Sequence, residues 1–259
     1  MKLVMLGSGT STGVPRLSAD LGADWGQCDP LEPRNRRSRV SIIVESSEGS
    51  RLLVDTSTDL REQLIRCGNA RIDGVFWTHD HADHCHGIDD LRALRFGRAN
   101  PIPGYGSAET VRRLRQRFGY VFAGQHGYPS IASIENLDNL RMLAGVQVQS
   151  CEMPHGPTFS TAYRFDSDGK SLCYATDFSQ LTDEMIELIS GTDILVVDCL
   201  RRDPHPTHAN LSMALDLAKA TQADKAVLTH LDKSMDYATL SAQVPDNVMV
   251  GYDGLELEA

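Results

Sequence analysis

Short apolar runs rich in β-branched residues recur along the chain, at 3–6, 40–44, 51–54, 74–77, 146–148, 171–175, 194–197, 226–228 and 248–250. Their length and composition predict strands. Apolar residues at helical spacing over 57–66, 88–94, 108–118, 182–189 and 211–220 predict helices between them. Several strands precede helices while others adjoin one another. This mixed order fits an α/β fold with two sheets flanked by helices better than one doubly wound parallel sheet. Glycines and prolines punctuate residues 95–139, which leaves two readings for part of that segment: a cover over a site, or a packed helix with irregular flanks. No repeat, low-complexity tract or linker divides the chain, so residues 1–259 are expected to form one domain.

With 259 residues, 41% of them hydrophobic, the chain can bury a full core. Lys2 is followed by only four apolar residues before Gly7-Ser8-Gly9, too few for the apolar region of a secretory signal, and no run approaches a membrane span. A cytoplasmic protein is expected. Six cysteines without a C-x-x-C spacing fit reduced, mostly buried thiols. The formal charge of −10 argues against a broad basic face for nucleic acid. It leaves room for a small anionic substrate, because bound divalent cations would keep a pocket locally positive.

The chemistry concentrates after the run Val75-Phe76-Trp77, in Thr78-His79-Asp80-His81-Ala82-Asp83-His84. This H-x-H-x-D-H order sets three imidazoles and a carboxylate at the end of a predicted strand, a donor set suited to zinc and, less selectively, to manganese, iron or nickel. Further downstream, His155, Asp177 and His230 each follow a predicted strand and would stand on an exposed lip. Any one of these alone reads as an ordinary turn or core residue. The set in this order resembles the metallo-β-lactamase superfamily, from residue 1 to nearly the end.

The resemblance implies an αββα sandwich with its active site along one edge of two mixed sheets, and two divalent metal ions, zinc first among them. By correspondence of position, His79, His81 and His155 would hold one ion, Asp83, His84 and His230 the other, and Asp177 would bridge them. Asp55, ending Leu52-Leu53-Val54, matches an aspartate behind the ligands that would accept a hydrogen bond from a ligand histidine. Hydroxide generated on the metals would be the nucleophile.

The metal core alone does not name the bond that is cleaved. His208, in Pro206-Thr207-His208-Ala209-Asn210 ahead of a predicted helix and downstream of Asp198-Cys199, is similar to a histidine shared by the PhnP-like phosphodiesterases and the tRNA 3'-processing endonucleases. With Asp83 and Asp177 it would complete the catalytic set, since an imidazole beside the metals can protonate a leaving alkoxide. The short interval between His84 and His155, without a basic and glycine-rich arm, favours the PhnP-like branch over a tRNA substrate. So do Gly7 to Pro15, the Asp24-Trp25-Gly26-Gln27-Cys28 loop, the Arg34-Asn35-Arg36-Arg37 run and the terminal Gly251 to Glu256. That branch implies a small cyclic or nucleotide-like phosphodiester such as 5-phosphoribosyl 1,2-cyclic phosphate, and a homodimer. One feature departs from it: the accessory structural zinc of PhnP needs several cysteines in the N-terminal loop, and here that loop offers only Cys28.

Arg36 and Arg37, in a run with Arg34 and Arg39, are candidates for a second phosphate contact, because guanidinium forks match phosphate oxygens. A solvated loop is the competing reading. The Gly7–Gly13 stretch reads as a turn beside the site, and His86 and His126 as local structure. Two other enzyme classes stay open, a glyoxalase II-type thioesterase or lactamase-like hydrolase that would not need His208, and a tRNA-processing-like endonuclease. A non-enzymatic nucleotide-binding module is the third alternative.

Overall fold

A computed structural model describes residues 1–125 and 127–259. The chain first forms β1 (Lys2–Gly7), β2 (Arg16–Ser18), β3 (Gly22–Asp24), β4 (Ser41–Glu45), β5 (Arg51–Val54), α1 (Leu60–Cys67), β6 (Gly74–Phe76) and α2 (Ala82–Cys85). Then follow α3 (Leu91–Arg95), β7 (Gly104–Gly106), α4 (Ala108–Arg117), α5 (Gly119–Ala123), β8 (Glu135–Asn136) and β9 (Met142–Leu143). Next come β10 (Val146–His155), β11 (Thr158–Ser167), β12 (Lys170–Ala175), α6 (Asp183–Ile189) and β13 (Ile194–Asp198). The chain closes with α7 (Leu211–Thr221), β14 (Lys225–Thr229), α8 (Tyr237–Ser241), β15 (Val248–Val250) and β16 (Glu256–Glu258).

Two seven-stranded sheets result, one in the order β16-β1-β4-β5-β6-β7-β8 and one in the order β15-β14-β13-β12-β11-β10-β9. The central strands are apolar throughout because they are covered on both faces, and successive residues serve different cores. Leu3, Met5, Ile42, Val44, Leu52 and Val54 pack inward against Leu172, Tyr174, Ile194, Val196 and Val227 of the facing sheet. Their neighbours Val4, Leu6, Ile43, Leu53 and Val75 point outward to Leu60, Leu64, Leu91 and Leu114 on the helices. On the other side Cys173, Ala175, Leu195, Val197 and Leu228 meet Met185, Ile189, Ala214 and Leu217. The layers are therefore helix, sheet, sheet, helix.

Each sheet mixes strand directions. β5, β6 and β7 run parallel, as do β12, β13, β14 and β15, while β10 and β11 form a long antiparallel pair. The C-terminal ends of β6, β10, β12, β13 and β14 deliver the loops from which the site is built, the usual placement of function in open sheets containing parallel strands. Among the described residues no helix is long and apolar enough to cross a membrane.

Two expectations need correction, and one open alternative is decided. Strand β10 runs on to His155, and β11, unforeseen from the pattern, pairs with it from Gln147↔Asp166 to His155↔Thr158. Of the two readings for 95–139, the packed one holds for the described residues: Ile102, Leu114, Val121, Ile131 and Ile134 are buried in the outer core, and β7 and β8 extend the first sheet. The helix expected at 88–94 is a 3-10 turn, Ile88–Asp90, leading into α3.

Candidate metal centre

Strand ends aim the ligand candidates at one point. β6 runs out into Thr78 and His79, and His81 is the N-cap position of α2, whose single turn carries Asp83 and His84 side by side. His155 is the last residue of β10. Asp55, Asp177 and His230 follow β5, β12 and β14, and all three adopt left-handed backbone, with φ of 64°, 62° and 60°. Such a conformation is uncommon for residues other than glycine and costs on the order of 1–3 kcal/mol, so it persists where the surroundings impose it.

The carboxylate of Asp177 lies at the centre with its two oxygens facing different partners. Oδ2 is 3.5 Å from His155 Nε2 and 3.8 Å from His79 Nε2. Oδ1 is 3.4 Å from His84 Nε2 and 3.6 Å from His230 Nε2. His81 joins the first group through Nδ1, 3.3 Å from His155 Nε2, and Asp83 joins the second through Oδ2, 3.4 Å from His84 Nε2 and 3.5 Å from His230 Nε2. Within each of the groups His79, His81, His155, Asp177 and Asp83, His84, His230, one donor atom per residue lies within 4.8 Å of every other.

These residues fit two cations. The Nε2 atoms of His79, His84 and His230 are buried without a hydrogen-bond partner among the described residues. Orphaned buried polar atoms are rare in native proteins and call for an explanation. Three imidazole nitrogens converging on shared carboxylates, none with a hydrogen-bond partner among the described residues, are what a metal would satisfy. The far nitrogens are fixed: Nδ1 of His84 meets Asp55 Oδ2 at 2.7 Å, and Nδ1 of His155 meets the carbonyl oxygen of Thr207 at 2.6 Å. Asp55 also accepts from the Thr78 backbone N–H through Oδ1 at 2.8 Å. Such outer contacts set which imidazole nitrogen is free to coordinate.

The electrostatics follow from crowding. Burial alone would raise Asp83 and Asp177, but the surrounding imidazoles outweigh it and hold both carboxyls well below their usual range. Burial alone would lower His230, but Asp177, Asp83 and Asp198 hold it up to about 9. His79, buried among other imidazoles, is pushed well down.

His208 sits at the rim of this group. Its ring stacks on His230 at 4.7 Å and 16°, and its Nδ1 is 3.1 Å from Asp198 Oδ2 and 3.7 Å from Asp177 Oδ2. Asp198 is the residue that reading the sequence missed as a working group. It also accepts the Ala209 N–H at 3.2 Å, so it ties the loop bearing His208 to the end of β13. Its signals were its place in the Asp198-Cys199 pair that accompanies His208 in the resemblance and its position, an aspartate closing a buried strand as Asp55 follows β5.

The arginine run lies elsewhere in the bonding scheme. Arg37 is buried, its guanidinium donating to the carbonyl oxygens of Met235 (2.7 Å) and Asp232 (3.3 Å) and to Asn35 Oδ1 (3.3 Å), so the expectation that it meets substrate phosphate is corrected. It straps the N-terminal loop to the segment that follows His230. Arg36 is exposed, with its guanidinium over the Trp25 ring at 5.1 Å. Arg34 pairs with Glu32 and Arg39 with Asp59. His86 meets Arg117 Nη2 at 2.6 Å, a local contact, and His126 lies outside the described residues. The six cysteines are unpaired and four are buried, Cys28 beside Arg37.

Fold, ligand order and donor geometry together define a metallo-β-lactamase-type hydrolase. The profile of the beta-lactamase superfamily domain matches residues 50–231, and the chain belongs to that superfamily. Within it the chain falls on the PhnP-like branch: a solved structure of a diphosphatase from the PhnP family superposes with a TM-score of 0.87 at 35% identity, covering 99% of this chain and 96% of that one. Among curated proteins, an octanoyltransferase of Porphyromonas gingivalis is 29% identical over 99% of this chain, which spans 51% of its length. A ribonuclease Z of Methanosarcina acetivorans is 26% identical over 88% of this chain and 94% of its own.

Proposed function

We propose that this chain is a phosphodiesterase acting on a small cyclic or nucleotide-like phosphodiester. The observation that carries the reading is His208, an imidazole held by Asp198 at 3.1 Å beside a centre suited to two cations. Two divalent ions, when bound, supply Lewis acidity and make hydroxide available near neutral pH. His79, His81 and His155 would hold one, Asp83, His84 and His230 the other, with Asp177 shared. Zinc suits this nitrogen-rich set first, with manganese and nickel as alternatives.

The protein's own groups do the rest. Asp198 keeps the Nδ1 side of His208 engaged and leaves Nε2 for the substrate, where it donates a proton to the departing oxygen or a hydrogen bond to a phosphate oxygen. Asp55, through His84, and the Thr207 carbonyl, through His155, fix ring orientation. Ester hydrolysis at carbon has no comparable demand for a held imidazole at this point. The charge of −10 disfavours a long polyanion and favours a small substrate.

The test is a panel assay of protein reconstituted with zinc or manganese, offering bis(p-nitrophenyl) phosphate, cyclic phosphates, a pre-tRNA and S-lactoylglutathione. Turnover of small phosphodiesters is expected. Turnover of the thioester alone would overturn the reading, and pre-tRNA cleavage alone would move the chain toward the processing nucleases.

A further inference from the structure

The loop between β13 and α7 carries a histidine that the site described above leaves unused. The loop is closed at its base by the Leu200 N–H donating to the Ala209 carbonyl at 3.0 Å and the Leu211 N–H to the Arg201 carbonyl at 2.9 Å, and Arg201 Nη2 donates to the Pro204 carbonyl at 2.9 Å. Within this frame His205 stands between Pro204 and Pro206, whose rings restrict the backbone on either side. Its Nδ1 lies 3.3 Å from the Thr207 backbone nitrogen and 3.2 Å from Thr207 Oγ1. A main-chain N–H can only donate, so this ring nitrogen carries no proton and the imidazole is the neutral form with its hydrogen on Nε2.

We infer that His205 is a positioning residue for the metal centre: its unprotonated Nδ1 holds Thr207 in the orientation that serves both His155 and His208. This role rests on the metal centre and on His208 as proposed above, and adds a residue to their support. Thr207 is the junction. Its N–H is taken up by His205 while its carbonyl oxygen accepts from His155 Nδ1 at 2.6 Å, the contact that leaves His155 Nε2 for an ion. Gly156, next to that ligand, lies so close to Thr207 that a β-carbon there would come within 2.5 Å of the Thr207 methyl, so the loop seats directly on the end of β10. The following residue is His208, whose Nδ1 meets Asp198, and the His205 and His208 rings lie 5.2 Å apart. Loss of the acceptor at His205 would release the Thr207 N–H and hydroxyl together, and with them the carbonyl that fixes His155. Asparagine can make the same bond, because its side-chain oxygen accepts from the N–H two residues on. Alanine cannot.

The experiment reads the ring itself and the ions it supports. Proton–nitrogen NMR correlation of isotope-labelled histidines near neutral pH, with His205 assigned by the signal that His205→Asn removes, should show an unprotonated Nδ1 and a protonated Nε2. His205→Ala should weaken zinc binding at one of the two positions by about tenfold or more, the scale of losing the support behind a ligand imidazole, and leave the other unchanged; titration calorimetry reads both. In the zinc-loaded enzyme the same variant should lower kcat for bis(p-nitrophenyl) phosphate more than it raises KM, and His205→Asn should recover most of both losses. A proton on Nδ1, zinc affinities in His205→Ala equal to those of the wild type, or an asparagine variant no better than alanine each overturns this role. The wild-type spectrum and the asparagine variant decide the matter should alanine fail to fold. Absence of phosphodiester cleavage by the wild type would instead sink the proposed function, and the NMR and zinc readouts would still decide on His205.

Discussion

The loop with His79, Asp80, His81, Asp83 and His84 packs five ionisable side chains into six positions and the loop with Arg34, Arg36, Arg37 and Arg39 four into six, yet they end in opposite conditions. In the first, buried Nε2 atoms converge on Asp177 with no proton partner of their own. In the second, Arg34 and Arg39 are paired with carboxylates, Arg37 is spent on backbone carbonyls, and Arg36 lies over Trp25. Residue type announced chemistry in both places. Availability separates them: a side chain with satisfied hydrogen bonds has little left to offer a ligand, whereas one buried without partners is unstable until a ligand arrives.

The contrast can be broken most directly at its centre. Asp177→Ala removes the carboxylate that faces both groups, and we expect both ions to be lost by elemental analysis and turnover to fall below detection. His208→Ala should keep both ions and lower phosphodiester turnover by about 10²- to 10⁴-fold, the range of a general acid, with Asp198→Asn producing a smaller loss of the same kind. Unchanged turnover in His208→Ala would remove that residue from the mechanism.

pH sharpens the picture from the metal side. In the ion-free protein His230 is held protonated up to about 9 by Asp177, Asp83 and Asp198, and coordination needs the neutral imidazole. Ion binding at pH 7 should therefore expel protons, and affinity should climb as pH rises toward about 9 and level off above it. Calorimetry of zinc binding in buffers of different ionisation heat reads this directly; no proton release at pH 7 would contradict it.

The arginine loop should respond in stability and not in chemistry. Arg37→Met leaves the buried Met235 carbonyl without a donor, while the Asp232 carbonyl keeps the Met235 N–H, and should cost roughly 2 kcal/mol in urea unfolding. The smallest effect belongs to Arg36→Ala, which should change stability by no more than about 0.5 kcal/mol and kcat/KM by less than about twofold. A large loss of kcat/KM there would restore Arg36 as a phosphate contact.

Much of the architecture was legible because strands buried on both faces cannot disguise themselves: Ile194 to Val197 or Leu52 to Val54 have few other readings. β11 was not legible. Its Thr, Ser, Arg and Asp residues dilute the apolar signal, and its burial comes from lying between β10 and β12, which only the assembled sheet reveals. The ligand candidates were legible as an ordered set of residue types at strand ends. Asp198 was not, since an aspartate after Val197 carries no pattern of its own until His208 is brought to it across the loop. Arg37 was misjudged for the same reason, its partners being some two hundred positions away in the chain.

The left-handed residues Asp55, Asp177 and His230 bear on how this protein should be dissected. Alanine at any of them deletes a functional group and also keeps a β-carbon where the backbone tolerates it poorly, so the measured loss mixes two unrelated effects. Glycine deletes the same group while relieving the backbone. At these three positions glycine should yield the more stable protein by about 1 kcal/mol, and the difference between the two substitutions reads out the conformational tension that each strand end stores to aim its side chain.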